Sequence, residues 1–119
     1  MLHRVLEALQ ELRPPFAPYE ADLHALVADR LAQSGLPFMH EARLGPGCRI
    51  DFLIGDVGVE IKKGRPAPKL WLAQLTRYAG CGGLSGLVLV TQRSVSLPES
   101  VRGLPLHVIS LQRLWGVAL

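Results

Sequence analysis

Residues 49–63, which read RIDFLIGDVGVEIKK, decide the fold of this 119-residue chain. Apolar side chains recur at every second position over 50–54 and again over 57–61, and a period of two is typical of β-strands. Gly55-Asp56 lies between the two halves, and glycine as the first of two residues favours a type II′ turn. The sequence therefore predicts a β-hairpin.

The turn determines which residues of the hairpin face each other. A two-residue turn places Ile54 opposite Val57, and the same register places Asp51 opposite Glu60. Directly opposed side chains have Cβ atoms ~4.5–5.5 Å apart. We therefore expect a polar face that carries Asp51, Glu60 and Lys62. The other face is expected to be apolar and to be formed by two opposed pairs: Ile50 with Ile61, and Phe52 with Val59.

Two carboxylates placed in this way repel each other. Unit charges ~5 Å apart repel by ~3 kcal/mol at an effective dielectric of ~20. A divalent cation held by Asp51 and Glu60 would turn this repulsion into attraction, and the Lys62 ammonium would stabilise negative charge developing on the same face. The alternative is a solvated face on which both acids form ordinary ion pairs with Arg49 and Lys62.

The rest of the chain predicts helices around a sheet. Apolar residues at helical spacing favour helices over 2–12 and 19–34, and Gly35 is suited to the end of the second helix. Three prolines separate the two helices: Pro14, Pro15 and Pro18. Strands are predicted over 37–44, 49–54, 57–63, 86–91 and 104–109, with a helix over 67–79 and a short terminal helix that begins at Ser110 and includes Trp115. This order indicates an α/β fold with a mixed sheet flanked by helices.

The composition fits one packed domain. The chain is 49% hydrophobic, which excludes a disordered or collagen-like protein. We expect one domain over 1–119, with an N-terminal helix at 1–15, a core at 19–92 and a C-terminal strand and helix at 104–119. No apolar run approaches the ~20 residues of a membrane-spanning helix, and charged residues within 1–13 argue against a signal peptide. The two cysteines are then expected to be reduced thiols in the cytoplasm.

Charge is divided unevenly along the chain. Residues 1–60 contain five Lys or Arg against nine Asp or Glu, a net charge of −4, whereas 61–119 contain eight against one, a net charge of +7. A carboxylate cluster beside a basic surface is the pattern of an enzyme that binds a polyanion. The alternative is an uneven scatter of ordinary surface charge.

The hairpin belongs to a wider set of residues. The tripeptide EIK at 60–62 follows Asp51 by nine residues, Glu20 lies near the start of the preceding helix, and QLTRY at 74–78 lies on the following helix. Over 19–92 this set resembles the PD-(D/E)XK nuclease superfamily, which includes restriction enzymes, Holliday-junction resolvases and RecB-type exonucleases. The resemblance implies a restriction-endonuclease-like αβββαβ core, which agrees with the predicted order.

One position departs from the superfamily pattern, because Ile50 stands where proline often precedes the first acid. The resemblance implies that Asp51, Glu60 and the main-chain carbonyl of Ile61 hold Mg²⁺ or Mn²⁺, for which oxygen ligands are suitable. It also implies that Lys62 orients or helps to deprotonate the attacking water.

Residues on the two flanking helices receive roles by the same resemblance. Glu20 would reach the metal cluster directly or through water; the alternative is a first-turn acid stabilised by the helix dipole. Gln74 and Tyr78 share a helix face and would line the site or contact the substrate backbone; the alternative is a helix surface with a partly buried tyrosine. Candidate phosphate contacts are Lys63, Arg65, Lys69 and Arg77.

Histidine and loop motifs add little. The four histidines have no zinc-ligand spacing with the two cysteines. His24 follows Glu20 by one helical turn and lies either at the edge of the site or in a surface or core position. Gly45-Pro46-Gly47 lacks the Lys-Ser/Thr of a nucleotide-binding phosphate loop.

These observations lead to three functional hypotheses. The first is a Mg²⁺- or Mn²⁺-dependent nuclease that hydrolyses phosphodiester bonds in DNA, with a possible homodimer formed through the apolar face of residues 1–13. The second is a catalytically silent module with the nuclease fold that binds nucleic acid or a protein partner. The third, a small-ligand-binding α/β domain, has no motif in its favour.

Overall fold

A computed structural model of the protein describes residues 1–12 and 19–114. Four helices and six strands follow in the order α1 (Leu2–Leu9), α2 (Glu20–Gln33), β1 (Met39–Gly45), β2 (Cys48–Ile54), β3 (Val57–Lys62), α3 (Pro68–Gly80), β4 (Gly86–Thr91), β5 (Ser100–Val101), β6 (Leu104–Ser110) and α4 (Leu111–Leu114). The prolines that were predicted to separate the first two helices lie outside the described residues, and so does Trp115, which was predicted to belong to the terminal helix. Within the described ranges, no helix is long and apolar enough to cross a membrane.

The six strands form one mixed sheet in the order β1-β2-β3-β4-β6-β5. The β1–β2, β2–β3 and β5–β6 pairs are antiparallel, whereas the β3–β4 and β4–β6 pairs are parallel. The prediction of an α/β fold with a mixed sheet flanked by helices is confirmed. The two-residue strand β5 was not predicted, because alternation cannot be recognised over two residues.

Helices cover both faces of the sheet. One hydrophobic cluster joins α1 and α2 to the sheet, and a second joins α3 to the opposite face. Strand β4 contributes to both, with Val88 and Val90 in the first cluster and Leu87 and Leu89 in the second. This placement explains why β4 is apolar throughout.

The two N-terminal helices pack within their own chain. Val5 and Leu9 of α1 are buried in the first cluster, so the apolar face on which we based a homodimer covers the chain's own core. Helix α2 ends in a Schellman motif, in which Gly35 has φ +70° and the amide of Leu36 donates to the carbonyl of Leu31 at 3.0 Å. This motif confirms the predicted end of the helix.

The structure confirms the predicted turn and the register beside it. Ile54 pairs with Val57 and Phe52 pairs with Val59. Gly55 has φ +60°, as the first residue of a type II′ turn requires. The sequence therefore indicated correctly where the β2–β3 hairpin turns.

The predicted apolar face of the hairpin is wrong at Ile50. Ile50 packs in the α3 cluster, whereas Phe52 packs in the cluster on the opposite face with Ile61. The same change of face occurs in the neighbouring strand, where Glu41 has φ +54° between His40, which stacks on Phe52, and Ala42, which packs in the α3 cluster with Ile50. Alternation is thus interrupted at the same level of β1 and β2, where the β2–β3 ladder also stops after the Phe52–Val59 pair.

Gly58 provides the space that Ile50 occupies. We expect Gly58→Ala to lower the free energy of unfolding by ~1–3 kcal/mol, because the added methyl group would lie 2.5 Å from Ile50 Cδ1 and 3.0 Å from Leu87 Cδ2. Urea unfolding followed by circular dichroism measures the change. Gly45→Ala is the control, since its methyl group would make an ordinary contact with Cys81 Sγ at 3.7 Å. If adding Ile50→Val recovers none of the loss, this packing is incorrect.

Candidate active site

The acids of the hairpin are held by reciprocal hydrogen bonds just beyond the Phe52–Val59 pair. The amide of Asp51 donates to Glu60 Oε1 at 3.0 Å, and the amide of Ile61 donates to Asp51 Oδ2 at 2.8 Å. Each carboxylate thus accepts a backbone donor of the opposite strand. The structure brings Asp51 and Glu60 together as predicted, through side-chain bonds to the backbone rather than as a further pair of the ladder.

Glu60 lies in an enclosed position. Its side chain belongs to a residue that is only 4% exposed, the Tyr78 hydroxyl donates to its Oε2 at 2.9 Å, and Lys62 Nζ lies 3.7 Å from the same oxygen. The sheet supplies Glu60 and Lys62 two residues apart on β3, while α3 supplies Tyr78. Glu60 is therefore enclosed rather than part of a solvated face, although its ion pair with Lys62 is one that the alternative predicted.

The surroundings of Glu60 favour its protonated form. Burial, followed by the nearby charge of Asp51, raises the pKa of Glu60 from its usual 4.5 to about 7, although the bond from Tyr78, the Asp51 amide and the charge of Lys62 oppose this shift. A carboxyl group that titrates near neutrality is common at functional sites. A cation at this site would compete with a proton for Glu60.

Helix α3 supports Glu60 through two side chains one turn apart. Gln74 Nε2 donates to the Tyr78 hydroxyl at 2.7 Å, and that hydroxyl donates in turn to Glu60. Tyr78 is 1% exposed, and burial together with the Glu60 charge raises its pKa. The structure thus places Gln74 and Tyr78 against the acidic pair, and Tyr78 is fully buried rather than partly exposed.

Helix α2 reaches the site through a histidine. His24 Nε2 lies 3.7 Å from Asp51 Oδ2. A hydrogen bond of 2.9 Å joins His24 Nδ1 to His40 Nε2, and either nitrogen can be the donor. The His40 ring stacks on Phe52 with centroids 4.6 Å apart. His24 was predicted either at the edge of the site or in a surface or core position, and the structure places it at the edge, beside Asp51. His40 was not predicted there, since its position depends on how β1 pairs with β2.

Glu20 lies one helical turn before His24, at the rim of the same region. It lines a groove of about 470 Å³ between α2 and β1, together with His24, His40 and Glu41. Glu20 is exposed to solvent. The structure therefore places Glu20 on the same side of α2 as His24, which is the residue of this helix that approaches Asp51.

Lys62 has a polar neighbour on the next strand. Lys62 pairs with Thr91 at the end of β4, and the Thr91 hydroxyl, in a residue that is 0% exposed, has no hydrogen-bond partner within the described part of the chain. Sequence analysis missed Thr91 because it ends the apolar segment GLVLVT and has the appearance of a strand terminus.

The predicted phosphate contacts lie around α3. Lys63 follows β3 directly and is half-buried, whereas the other three are exposed, before or along the helix. Those three are Arg65, Lys69 and Arg77. The structure leaves their contact with phosphate a prediction.

The ligands at this position suit a particular kind of cation. Asp51 and Glu60 offer carboxylate oxygens, which hard cations such as Mg²⁺ and Mn²⁺ prefer. Across residues 1–12 and 19–114, no group of three or more His, Cys, Asp or Glu side chains is arranged to hold a metal ion. The described residues thus offer two carboxylates at this position, without a third side chain of these types arranged beside them.

Comparison with protein-family models, curated proteins and solved structures finds no match to this chain.

The raised pKa of Glu60 predicts how stability depends on pH in the presence of a chelator. Between about pH 4.5 and pH 7 the folded protein retains a proton on Glu60 that the unfolded chain has released. The free energy of unfolding is therefore expected to fall as pH rises through this range. Glu60→Gln should flatten that part of the curve, as measured by urea unfolding at closely spaced pH values.

Glu99→Gln is the matched control for this measurement, because Glu99 is exposed. It should keep the slope of the wild-type curve. A wild-type slope that is unchanged by Glu60→Gln would show that Glu60 titrates normally.

Proposed function

We propose that the protein is a metal-dependent nuclease that hydrolyses phosphodiester bonds, with DNA as its substrate. The observation that carries this proposal is the pair of reciprocal bonds that hold Asp51 and Glu60 together beside Lys62. The bonds keep two like charges close, which costs stability unless a cation uses them. The resemblance of residues 19–92 to PD-(D/E)XK nucleases supports the same function.

Asp51, Glu60 and the main-chain carbonyl of Ile61 would hold Mg²⁺ or Mn²⁺ at this site. The chemistry supplied by a bound cation is a lowered pKa of water and stabilisation of negative charge on the phosphoryl oxygens. The amides of Asp51 and Ile61 and the Tyr78 hydroxyl fix the carboxylates in advance. Little reorganisation is then needed when the substrate arrives.

Lys62 performs the step that the carboxylates cannot perform. Its Nζ lies 3.7 Å from Glu60 Oε2 and its side chain is about a quarter exposed, so it contacts Glu60 and also reaches solvent. There it orients the attacking water and stabilises the charge that develops on the phosphate. Glu20 and His24 line the same groove beside α2, where His24 approaches Asp51, and Glu20 would reach the cation directly or through a bound water.

The basic residues near α3 suit the phosphate backbone of a nucleic acid. Lys63 and Arg65 lie between Lys62 and the start of α3, and Lys69 and Arg77 lie on the helix. The second half of the chain has a net charge of +7, which favours association with a polyanion. The acids and the basic residues together suit a substrate in which the phosphodiester bond to be cleaved is flanked by other phosphates.

One observation favours a second function, a non-catalytic module with the same fold. Both oxygens of Glu60 already accept hydrogen bonds from the protein, and its pKa of about 7 leaves it partly protonated at neutral pH. A module that binds nucleic acid or a protein partner could keep Glu60 as a structural acid. Divalent binding distinguishes the two functions.

Calorimetric titration with Mn²⁺ is expected to show saturable binding that tightens as pH rises from 6 to 8, because the cation displaces a proton from Glu60. Asp51→Asn and Glu60→Gln should each weaken it at least ~10-fold. Asp56→Asn is the matched control, since Asp56 lies exposed in the hairpin turn. Absence of saturable binding would favour the non-catalytic module.

Cleavage assays test the reaction itself. The wild-type protein with Mn²⁺ is expected to cleave at least one of four DNA substrates (linear, circular, single-stranded or branched). Lys62→Ala should reduce the rate at least ~100-fold while folding and Mn²⁺ binding remain largely unchanged. Lys63→Ala is the control for loss of a nearby positive charge and should have a much smaller effect. Normal turnover by Lys62→Ala would refute the assignment.

A further inference from the structure

Two thiols that the proposed nuclease reaction does not use meet at one backbone carbonyl. Cys48, the first residue of β2, and Cys81, which follows α3, both direct their sulfur atoms to the carbonyl oxygen of Arg77. The Sγ–O distances are 4.0 Å for Cys48 and 3.4 Å for Cys81. Both cysteines are free thiols, and they lie 33 positions apart in the sequence.

The end of α3 makes this carbonyl available. In a regular helix the amide of Cys81 would donate to Arg77, four residues earlier. Here it donates to the carbonyl of Tyr78 at 3.1 Å, as in a tightened last turn. The Arg77 carbonyl then accepts thiols in place of that amide, which draws the two side chains to the same point.

The surroundings bring the thiols together and give them different exposure. Burial, followed by the nearby Cys81 thiol, raises the pKa of Cys48 to about 11. Gly45 of β1 pairs with Cys48 of β2. The Cys81 side chain occupies the space beside Gly45, with its Sγ 3.7 Å from the position that a Cβ would take. Cys48 is 2% exposed, whereas Cys81 is only half-buried.

We propose that Cys48 and Cys81 are a redox-active pair that forms a reversible intramolecular disulfide when a small-molecule disulfide or a similar thiol oxidant is present. Their shared acceptor, the Arg77 carbonyl, brings the two sulfurs close together, and the Cys81 side chain also lies beside Gly45, the residue that pairs with Cys48. Cys81 is the thiol that an oxidant reaches first, because Cys48 is enclosed. The inference is independent of nuclease activity.

The chemistry with glutathione disulfide proceeds in two exchanges. The Cys81 thiol, as it loses its proton, attacks one glutathione sulfur; a mixed disulfide forms, and glutathione thiolate leaves and takes up that proton. The Cys48 sulfur then attacks Cys81 Sγ, the Cys48–Cys81 bond forms, and a second glutathione leaves with the Cys48 proton. Two protein thiols are thus oxidised and one glutathione disulfide is reduced to two thiols.

The new bond would join the two elements that hold the acidic site. Cys48 begins the strand that carries Asp51, and Cys81 follows the helix whose Tyr78 donates to Glu60. A disulfide here restricts movement of the end of α3 relative to β2. It also closes a long loop in the unfolded chain, which stabilises the folded protein.

The test is equilibration of the purified, reduced protein in glutathione buffers, followed by acid quenching, alkylation and mass spectrometry. We expect a monomer that has lost two hydrogen atoms and yields a Cys48–Cys81 cross-linked peptide, at least ~10-fold more abundant than mixed disulfides with glutathione. Its Tm should exceed that of the reduced protein by at least ~5 °C. Full reversal by dithiothreitol is expected.

Two variants make the result decisive. Cys81→Ser should abolish both the cross-link and the rise in Tm, and Cys48→Ala should instead accumulate the mixed disulfide at Cys81. The proposal would be overturned if the main wild-type products were mixed disulfides or intermolecular dimers. It would also be overturned if the thiols stayed reduced while a reference dithiol oxidised. Loss of nuclease activity in any form has no bearing on this outcome.

Discussion

The geometry of the acidic site depends on an exchange of hydrogen bonds where the β2–β3 ladder stops. Beyond the Phe52–Val59 pair, the amides of Asp51 and Ile61 donate to carboxylates of the opposite strand. Each bond satisfies a backbone donor, and each stabilises a negative charge that its neighbour repels. Two acids can therefore remain close together in the folded protein, at a position where the next helix completes their surroundings.

Burial and support of Glu60 come from different parts of the chain. The sheet encloses its side chain, which disfavours the charged form, and the Tyr78 hydroxyl supplies a donor that favours it. Gln74 holds that hydroxyl from one turn away on the same helix. These opposed influences leave the pKa of Glu60 near neutrality. A cation bound beside Glu60 would add a large local charge and would favour its deprotonated form.

Much of the fold was predictable from local pattern, because turn chemistry, strand alternation and helical spacing act over a few residues. The hairpin turn, the mixed sheet and the meeting of Asp51 with Glu60 follow from such signals. The side of the sheet that Ile50 faces and the approach of His24 did not follow. They depend on the interruption shared by β1 and β2 and on how α2 packs, for which nearby residues carry no signal. The catalytic roles assigned to Glu20, Asp51, Glu60 and Lys62 remain predictions.

The hydrogen bonds of the acidic site also have short sequence separations. Asp51 and Glu60 are nine positions apart, and Tyr78 follows Glu60 by eighteen. Contacts of this kind close small loops and so lose little chain entropy. The bonds among Asp51, Glu60 and Tyr78 therefore join neighbouring segments of the chain, whereas His24 reaches Asp51 from α2, across a longer span of sequence.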